Sequence, residues 1–575
     1  MKSPPINGFW LPQKIHEQLI TPKTNYVISS FASGKACDQA TPGAVTAHWP
    51  VLSHQDWKQC LELLDEGRQL APRGEDYWKR LESAVQGVEK RFQNPQDPLH
   101  IHAMETIPGY TGYSESMIRM TLNALNLMNL DQMLDAYAGS PAQRSSSDWQ
   151  SMDGLPGRLI FNRSGSIANI SSWLSGSGRR LFDDIEVPIL VLGYGAGNVP
   201  GTALLIAMLA QSTTMAGQGQ TPPSVIVRNS RREPIFTPLV LSAIESLDPV
   251  LVAGIATLIW DYEDRELQGF LLGKCDLVIA AASDETIASI ADQITTTNAA
   301  RSSSPIRFHE HGHKVSFSVI SRQVTQKTGL EGVGGQPVID IVALLAGLDS
   351  IFWDQYGCLS SRIHFVEDTG GDHYSAVEYA GKLTNNLRQL AVYLPRGASP
   401  RRQLKDSFDR YKLLERRSQV SVASAYEDDF LVAVDRRQLD PMNFLSAVNA
   451  CMGRVIIVRP IEDPMEFPDH YLRMLPPENL QSLSVVFGEY TDRTDTGFLK
   501  FAKACARRGV TAIRSVGRGA FPQLAYSWDG LIPLDLVAER PRGYFTTIEF
   551  DDPYQEMLDT YRLFLKQAGR LGLLE

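Results

Sequence analysis

Cysteine is scarce: six in 575 residues, at positions 37, 60, 275, 358, 451 and 505, with no CxxC and no close pair. That spacing excludes a thiolate zinc cage and a disulfide framework, and it fits reduced thiols. Long apolar runs are also missing. The longest, VLVAGIATLIW at 250–260 and TALLIAMLA at 202–210, fall well short of the roughly 20 residues that cross a bilayer, so they read as core elements. The opening MKSPPINGFWLPQK puts Pro4 and Pro5 where a secretory signal has its apolar stretch, and no lipidation motif follows. Cytoplasmic location without membrane insertion is the expectation. Excess positive charge is absent as well: 55 Lys and Arg face 65 Asp and Glu, a net charge of -10. Such a chain lacks the basic surface that phosphate neutralisation needs, which argues against a nucleic-acid partner. There is no internal repeat and no low-complexity tract.

What is present is an ordinary globular composition, 43% hydrophobic and 21% charged, in a chain too long for one core. The first 150 residues carry one-sided helical spacing, as in DWKQCLELLDEGRQLAP. From about 186, short apolar runs alternate with helical stretches: EVPILVLG, SVIVR, VLVAG and CDLVIAAA, each followed by a helix. Strand and helix in turn predict parallel βαβ units and an α/β nucleotide-binding domain. A second α/β unit opens with HKVSFSVI and continues through the helix VIDIVALLAGLDSIFWDQ. The expected division is 1–308 for an N-terminal helical region with the nucleotide-binding domain, 309–540 for a catalytic domain, and 541–575 for a C-terminal segment.

Two glycine-bracketed steps carry the chemistry. In WDQYGCLSS, Gly357 is positioned to end the preceding helix in a left-handed conformation and to present Cys358 to a cleft. A thiolate there attacks thioester and carbonyl carbons; the alternative is a small, packed apolar residue. In LVLGYGAGNVPG, Gly193, Gly195 and Gly197 follow a strand as in a dinucleotide loop, but Asn198 stands where the last glycine of GxGxxG belongs. Asn198 is either an amide donor to developing negative charge or a helix N-cap. His309, His311 and His313 alternate around Glu310, without the cysteine or carboxylate cluster that would complete a metal site, so no metal is expected.

Together AGNVPG at 196–201, LDPVL at 247–251, SDETI at 283–287, HGHKVSFSVI at 311–320, DQYGCLSS at 354–361, GVTAIRSVGRGAFPQLAYSWDG at 509–530 and IPGYTGYSESMIR at 107–119 resemble the aldehyde dehydrogenase superfamily, and within it the LuxC-type acyl-CoA reductases. The resemblance implies an aldehyde dehydrogenase-like α/β fold. It also implies that Cys358 takes the acyl group from a thioester, that Asn198 and the Cys358 backbone N–H hold the oxyanion, and that a nicotinamide cofactor then delivers hydride to release an aldehyde. Glu310 stands where the superfamily keeps a water-activating glutamate, so it is a hydrolytic base or a solvated strand residue. His313 is a candidate for proton handling.

For the cofactor, Arg228 stands at the position of the superfamily's ribose-binding lysine, with Arg231 and Arg232 close by, which favours NADPH with NADH as the alternative. Gly197 and Ser283 are candidate contacts, Ser283 also being placed to cap a helix whose N-terminus suits pyrophosphate. Two other readings remain beside NADPH-dependent reduction of an acyl thioester through a cysteine acyl-enzyme. They are NAD(P)-dependent aldehyde oxidation using Glu310, and an acyl-transfer or scaffold protein without hydride transfer. Expected partners are acyl-CoA or an acyl-carrier protein, an acyl-activating enzyme, and further copies of the chain joined through 158–176. The basic stretch 396–417, eight Lys and Arg against three acids, is either a surface for a CoA phosphate or acidic carrier, or a solvated helix.

Overall fold

The computed structural model describes residues 6–32, 35–37, 45–125, 149–151, 156–164, 188–197, 202–212, 221–261, 263–327, 333–397, 401–417, 419–487, 497–522, 526, 529–530 and 543–570. They fall into two units. The first takes Met1–Asp131, Ala168–His313 and Leu531–Arg542; the second takes Gln132–Ile167, Lys314–Gly530 and Gly543–Glu575. The division in the middle of the chain falls between His313 and Lys314, and the segment after 542 is part of the second unit, because its strand pairs into that unit's sheet.

The first unit contains two sheets. Ile6–Asn7 (β1), Tyr26–Ala32 (β2), Lys35–Cys37 (β3) and Thr46–Pro50 (β4) form a small sheet in the order β1-β4-β2-β3. This sheet was not legible in a region whose helical spacing dominates: helices His54–Leu70, Gly74–Gln93, Pro98–Thr111 and Glu115–Asn123 follow it. In IPGYTGYSESMIR, Gly112 (φ 74) ends one of these helices and Ser114 caps the next.

The larger sheet is parallel throughout. Leu190–Tyr194 (β7), Ser224–Arg228 (β8), Ile255–Leu258 (β9), Leu277–Ala281 (β10) and Arg307–His311 (β11) lie in the order β11-β10-β7-β8-β9. Every residue of β7, β9 and β10 is buried, as strands covered on both faces are. VLVAG, expected as a strand, begins instead as a 3-10 turn at Pro249–Leu251. Asp248 and Pro249 end the preceding helix there, and the strand starts after Gly254. The order reverses around β7, so the crevice outside the carboxyl ends of β7 and β10 is the topological switch point, where ligands of open α/β sheets bind.

The second unit is built on a ten-stranded sheet. Gln150–Ser151 (β5), Arg158–Ser164 (β6), Val315–Ile320 (β12), Ser361–Glu367 (β13), Val420–Val422 (β14), Leu431–Asp435 (β15), Val455–Ile461 (β16), Leu480–Val486 (β17), Ala512–Ser515 (β18) and Gly543–Ile548 (β19) run in the order β14-β15-β16-β13-β12-β17-β18-β19-β6-β5. The stretch from β15 to β19 is parallel, and antiparallel β14 and β6 border it. Phe317, Phe365, Phe444, Phe467 and Phe501 sit in the core on one side of this sheet. Helix Val338–Ile351 is buried along nearly its whole length and delivers the chain to Cys358.

Candidate functional site

In the second unit, the approach to Cys358 differs from the glycine-ended helix expected. Gly357 is not left-handed. Three ordinary residues before it are: Trp353 (φ 55), Asp354 (φ 50) and Gln355 (φ 64). Each such conformation costs roughly 1–2 kcal/mol for an L-residue, so the turn needs outside support. A buried ion pair supplies it, Arg454 Nε to Asp354 Oδ1 at 2.7 Å. The other Asp354 oxygen accepts the Gly397 N–H at 3.0 Å, and Arg454 Nη2 donates to the Leu394 carbonyl at 2.8 Å. The Gln355 amide accepts from Val455 N–H at 2.8 Å and donates to the Ser361 carbonyl at 3.2 Å. The turn is thus tied to the starts of β16 and β13.

Beyond the turn, Ser316 Oγ on β12 donates to the Cys358 carbonyl at 2.9 Å and lies 2.8 Å from Ser482 Oγ on β17. Cys358 is partly exposed, whereas Cys60, Cys275, Cys451 and Cys505 are buried. Burial pushes the thiols of Cys60, Cys275 and Cys451 up to about 12 and that of Cys505 well above its ordinary range. Burial also raises the Cys358 thiol, but here the Gln481 side chain, the N–H groups of Cys358 and Leu359, and the Arg362 charge all oppose it. Among the cysteines whose side chains are described, Cys358 alone is both reachable and surrounded by groups that favour its thiolate.

Two buried groups near it are structural. His364 bonds to Ser350 Oγ at 2.8 Å and Tyr379 Oη at 2.9 Å, and burial pushes its pKa down to about 3, so it is a neutral core imidazole. Asp349 accepts the N–H groups of Gly517 at 2.7 Å and Ala520 at 3.2 Å, holding the SVGRGAF loop, and burial pushes it up to about 6.

In the first unit, the switch-point crevice is shaped by two glycines. A Cβ on Gly195 would meet the Ala203 backbone N at 2.7 Å, and one on Gly197 would meet Arg232 Cβ at 2.5 Å and Ser230 Oγ at 2.6 Å. No larger residue fits either place without displacement. Of the three candidate arginines, Arg228 donates through Nε to the Trp260 carbonyl at 2.9 Å with its guanidinium 5.9 Å from that ring, and Arg231 lies 5.8 Å from the Trp49 ring. Arg232 is the one packed against Gly197. Ser283 caps helix Asp284–Ala300 by accepting the Thr286 N–H. The close glycine approach and neighbouring Arg232 fit the pyrophosphate of a dinucleotide, whereas Asp284 and Glu285 in the first turn of the helix that Ser283 caps count against an anion there.

Glu310 is exposed in β11, in register with Ala280. His309 and His311 share a face of that strand, while His313 lies past its end and donates its backbone N–H to Asp284 Oδ1 at 2.6 Å. Asn198 lies outside the described residues. Sequence reasoning missed Gln481, Asp529, Arg362 and Arg454. No local pattern signalled them: Arg454 lies just before β16, Asp529 lies outside the named strands, and Gln481 shares β17 with Ser482 and Ser484. Among the described residues no group of His, Cys, Asp and Glu could hold a metal ion, and no helix is long and apolar enough to cross a membrane.

Solved structures similar to this chain are aldehyde dehydrogenases. Aldehyde dehydrogenase 21 from Physcomitrella patens aligns at 11% identity and TM-score 0.58 over 97% of both chains. The delta-pyrroline-5-carboxylate dehydrogenase of Mycobacterium tuberculosis aligns at 12% and 0.52 over 92% of this chain and 87% of its own. An NAD-dependent benzaldehyde dehydrogenase from Corynebacterium glutamicum aligns at 13% and 0.50 over 91% and 98%. These matches establish the aldehyde dehydrogenase-like fold. No curated protein matches significantly. The family model for acyl-CoA reductase (LuxC) matches residues 189–540, more than half of the chain, and the protein therefore belongs to the LuxC family of acyl-CoA reductases.

Proposed function

We propose that the protein reduces an acyl thioester to an aldehyde, with Cys358 as the nucleophile and NADPH as reductant. The observation that carries this reading is the contrast among the cysteines: Cys358 is partly exposed on a braced turn, and the other four whose side chains are described are buried. The Cys358 thiolate attacks the acyl carbonyl carbon. A new S–C bond forms, the tetrahedral oxyanion collapses, and the CoA or carrier thiolate leaves with the electron pair of the broken C–S bond and takes a proton from solvent. Exchange between thioesters is nearly isoenergetic, so this half-reaction needs orientation and charge stabilisation more than driving force. A bound nicotinamide cofactor supplies the hydride that converts the acyl carbon to that of an aldehyde. Cys358 sulfur leaves that carbon with its bonding pair, regenerating the thiolate.

In this reading, Arg228, Arg231, Arg232, Gly197 and Ser283 are the residues that hold the dinucleotide. The role expected of Asn198, an amide donor to the oxyanion, belongs to the same proposal. So do the acyl-CoA or acyl-carrier substrate, an acyl-activating partner enzyme, self-association and a cytoplasmic setting. Mixing the protein with NADPH and a series of acyl-CoAs, while following cofactor absorbance, tests it. NADPH is consumed only when thioester is present, and Cys358→Ala and Asn198→Ala lose that consumption. Consumption of NADP with aldehyde but none of NADPH with thioester would favour aldehyde oxidation instead. Glu310→Gln then separates the two, since a hydrolytic base is needed only for oxidation.

A further inference from the structure

The sheet of the second unit contains two irregularities that face each other across β12. From Val315 to Phe317, two steps along β12 match three along β17, Leu480 to Leu483. From Ser316 to Ser318, two steps match three along β13, Ser361 to His364. Each neighbour of β12 therefore has one extra residue at the same level, which turns side chains away from the regular alternation. The extra residues fall beside Gln481 on β17 and Arg362 on β13, both buried, and these are the side chains that act on Cys358 from the two flanking strands. Ser316, between the two irregularities, holds the Cys358 carbonyl.

Gln481 is itself held. Its Nε2 donates to Asp529 Oδ1 at 2.7 Å, and Asp529 sits in a left-handed backbone conformation (φ 49). A carboxylate at that distance settles the orientation of the amide, because the flipped form would oppose oxygen to oxygen. The Gln481 Oε1 is buried with no hydrogen-bond partner among the described residues.

We propose that Gln481 is a catalytic residue that stabilises the Cys358 thiolate by donating an amide N–H to sulfur, and that Asp529 is the positioning residue that fixes this amide. The assignment rests on Cys358 being the nucleophile. The charged groups around this site are Arg362 from β13, which acts on the sulfur, and Asp529, which is bonded to the Gln481 amide; the Cys451 thiol also acts on Arg362.

The pH dependence of Cys358 alkylation by iodoacetamide, read by peptide mass spectrometry on the full chain, tests this without cofactor or acyl substrate. Gln481→Met raises the midpoint by about one pH unit, a roughly tenfold slower alkylation at neutral pH, with some loss of thermal stability because Asp529 Oδ1 loses its donor. Asp529→Gly removes the acceptor and tolerates the left-handed backbone. Loss of a nearby negative charge would by Coulomb's law lower the thiol midpoint, whereas loss of the amide's anchor raises it. A rise in both variants supports the assignment; an unchanged midpoint in Gln481→Met, or a fall in Asp529→Gly, overturns it. If both midpoints rise but acyl-CoA never labels Cys358, the reductase reading fails and this one stands.

Discussion

The turn after β7 and the turn before β13 both bring the chain from a buried element to a candidate reactive surface, by opposite means. After β7 the tight approach is made by Gly195 and Gly197, residues with no Cβ to displace. Before β13 it is made by Trp353, Asp354 and Gln355, ordinary residues in a conformation that glycine prefers, held by the Asp354–Arg454 pair and the Gln355 amide. Glycine shapes a loop by what it lacks, so its effect is local. A braced turn depends on partners a hundred residues away, and it stores strain next to the residue it presents.

The largest effect expected from this contrast is on the brace. Arg454→Met removes the bonded cation from buried Asp354 and one of the ties that hold the left-handed turn. It should destabilise the protein by about 3–5 kcal/mol in denaturant unfolding and slow Cys358 alkylation. If stability is unchanged, the turn does not need the pair. Next is Gly195→Ala, whose new methyl meets the Ala203 backbone. About 1–3 kcal/mol of stability should be lost, together with affinity for a nicotinamide dinucleotide measured by calorimetry. A fully stable variant with intact affinity would show that the close approach at this turn is unnecessary.

The smallest effect is on pH dependence, and it compares one buried carboxylate from each unit. Glu233 accepts the N–H groups of Ile235 and Phe236 at 2.9 Å and burial raises it to about 7; Asp349 is raised to about 6. Both folded values lie above the ordinary 4.5 and 3.8, so the folded state binds the extra proton. Their contribution to stability is full below about pH 4 and is lost as pH rises through 6 for Asp349 and 7 for Glu233. Denaturant midpoints across pH 4–8 should fall along this course, and Asp349→Asn should flatten the lower part of the slope while Glu233→Gln flattens the upper. Identical slopes in the variants and the parent would contradict the assignment.

The same contrast explains what could be read from the residues in order. Apolar runs such as SVIVR and CDLVIAAA announce a parallel sheet because both faces of such strands are buried, and Ser283 announces a helix start because its hydroxyl acts three residues away. Gly197 was legible for the same local reason. Arg454, Gln481 and Asp529 were not: their roles come from strand pairing and from a one-residue slip in register, which no local pattern encodes. The small N-terminal sheet was hidden likewise, its strands being short and brought together around the helix Gln13–Leu19. Gly357, read as the left-handed residue, shows the converse error of giving to glycine a turn that side-chain partners sustain.

Mass spectrometry of the intact protein and its peptides, after exposure to an acyl-CoA with no nicotinamide present, tests the central claim most directly. The account predicts a mass increase of one acyl group on the peptide containing Cys358, absent in Cys358→Ala and discharged when NADPH is added. An unmodified Cys358 peptide, or equal acylation of the Cys358→Ala protein, would contradict it.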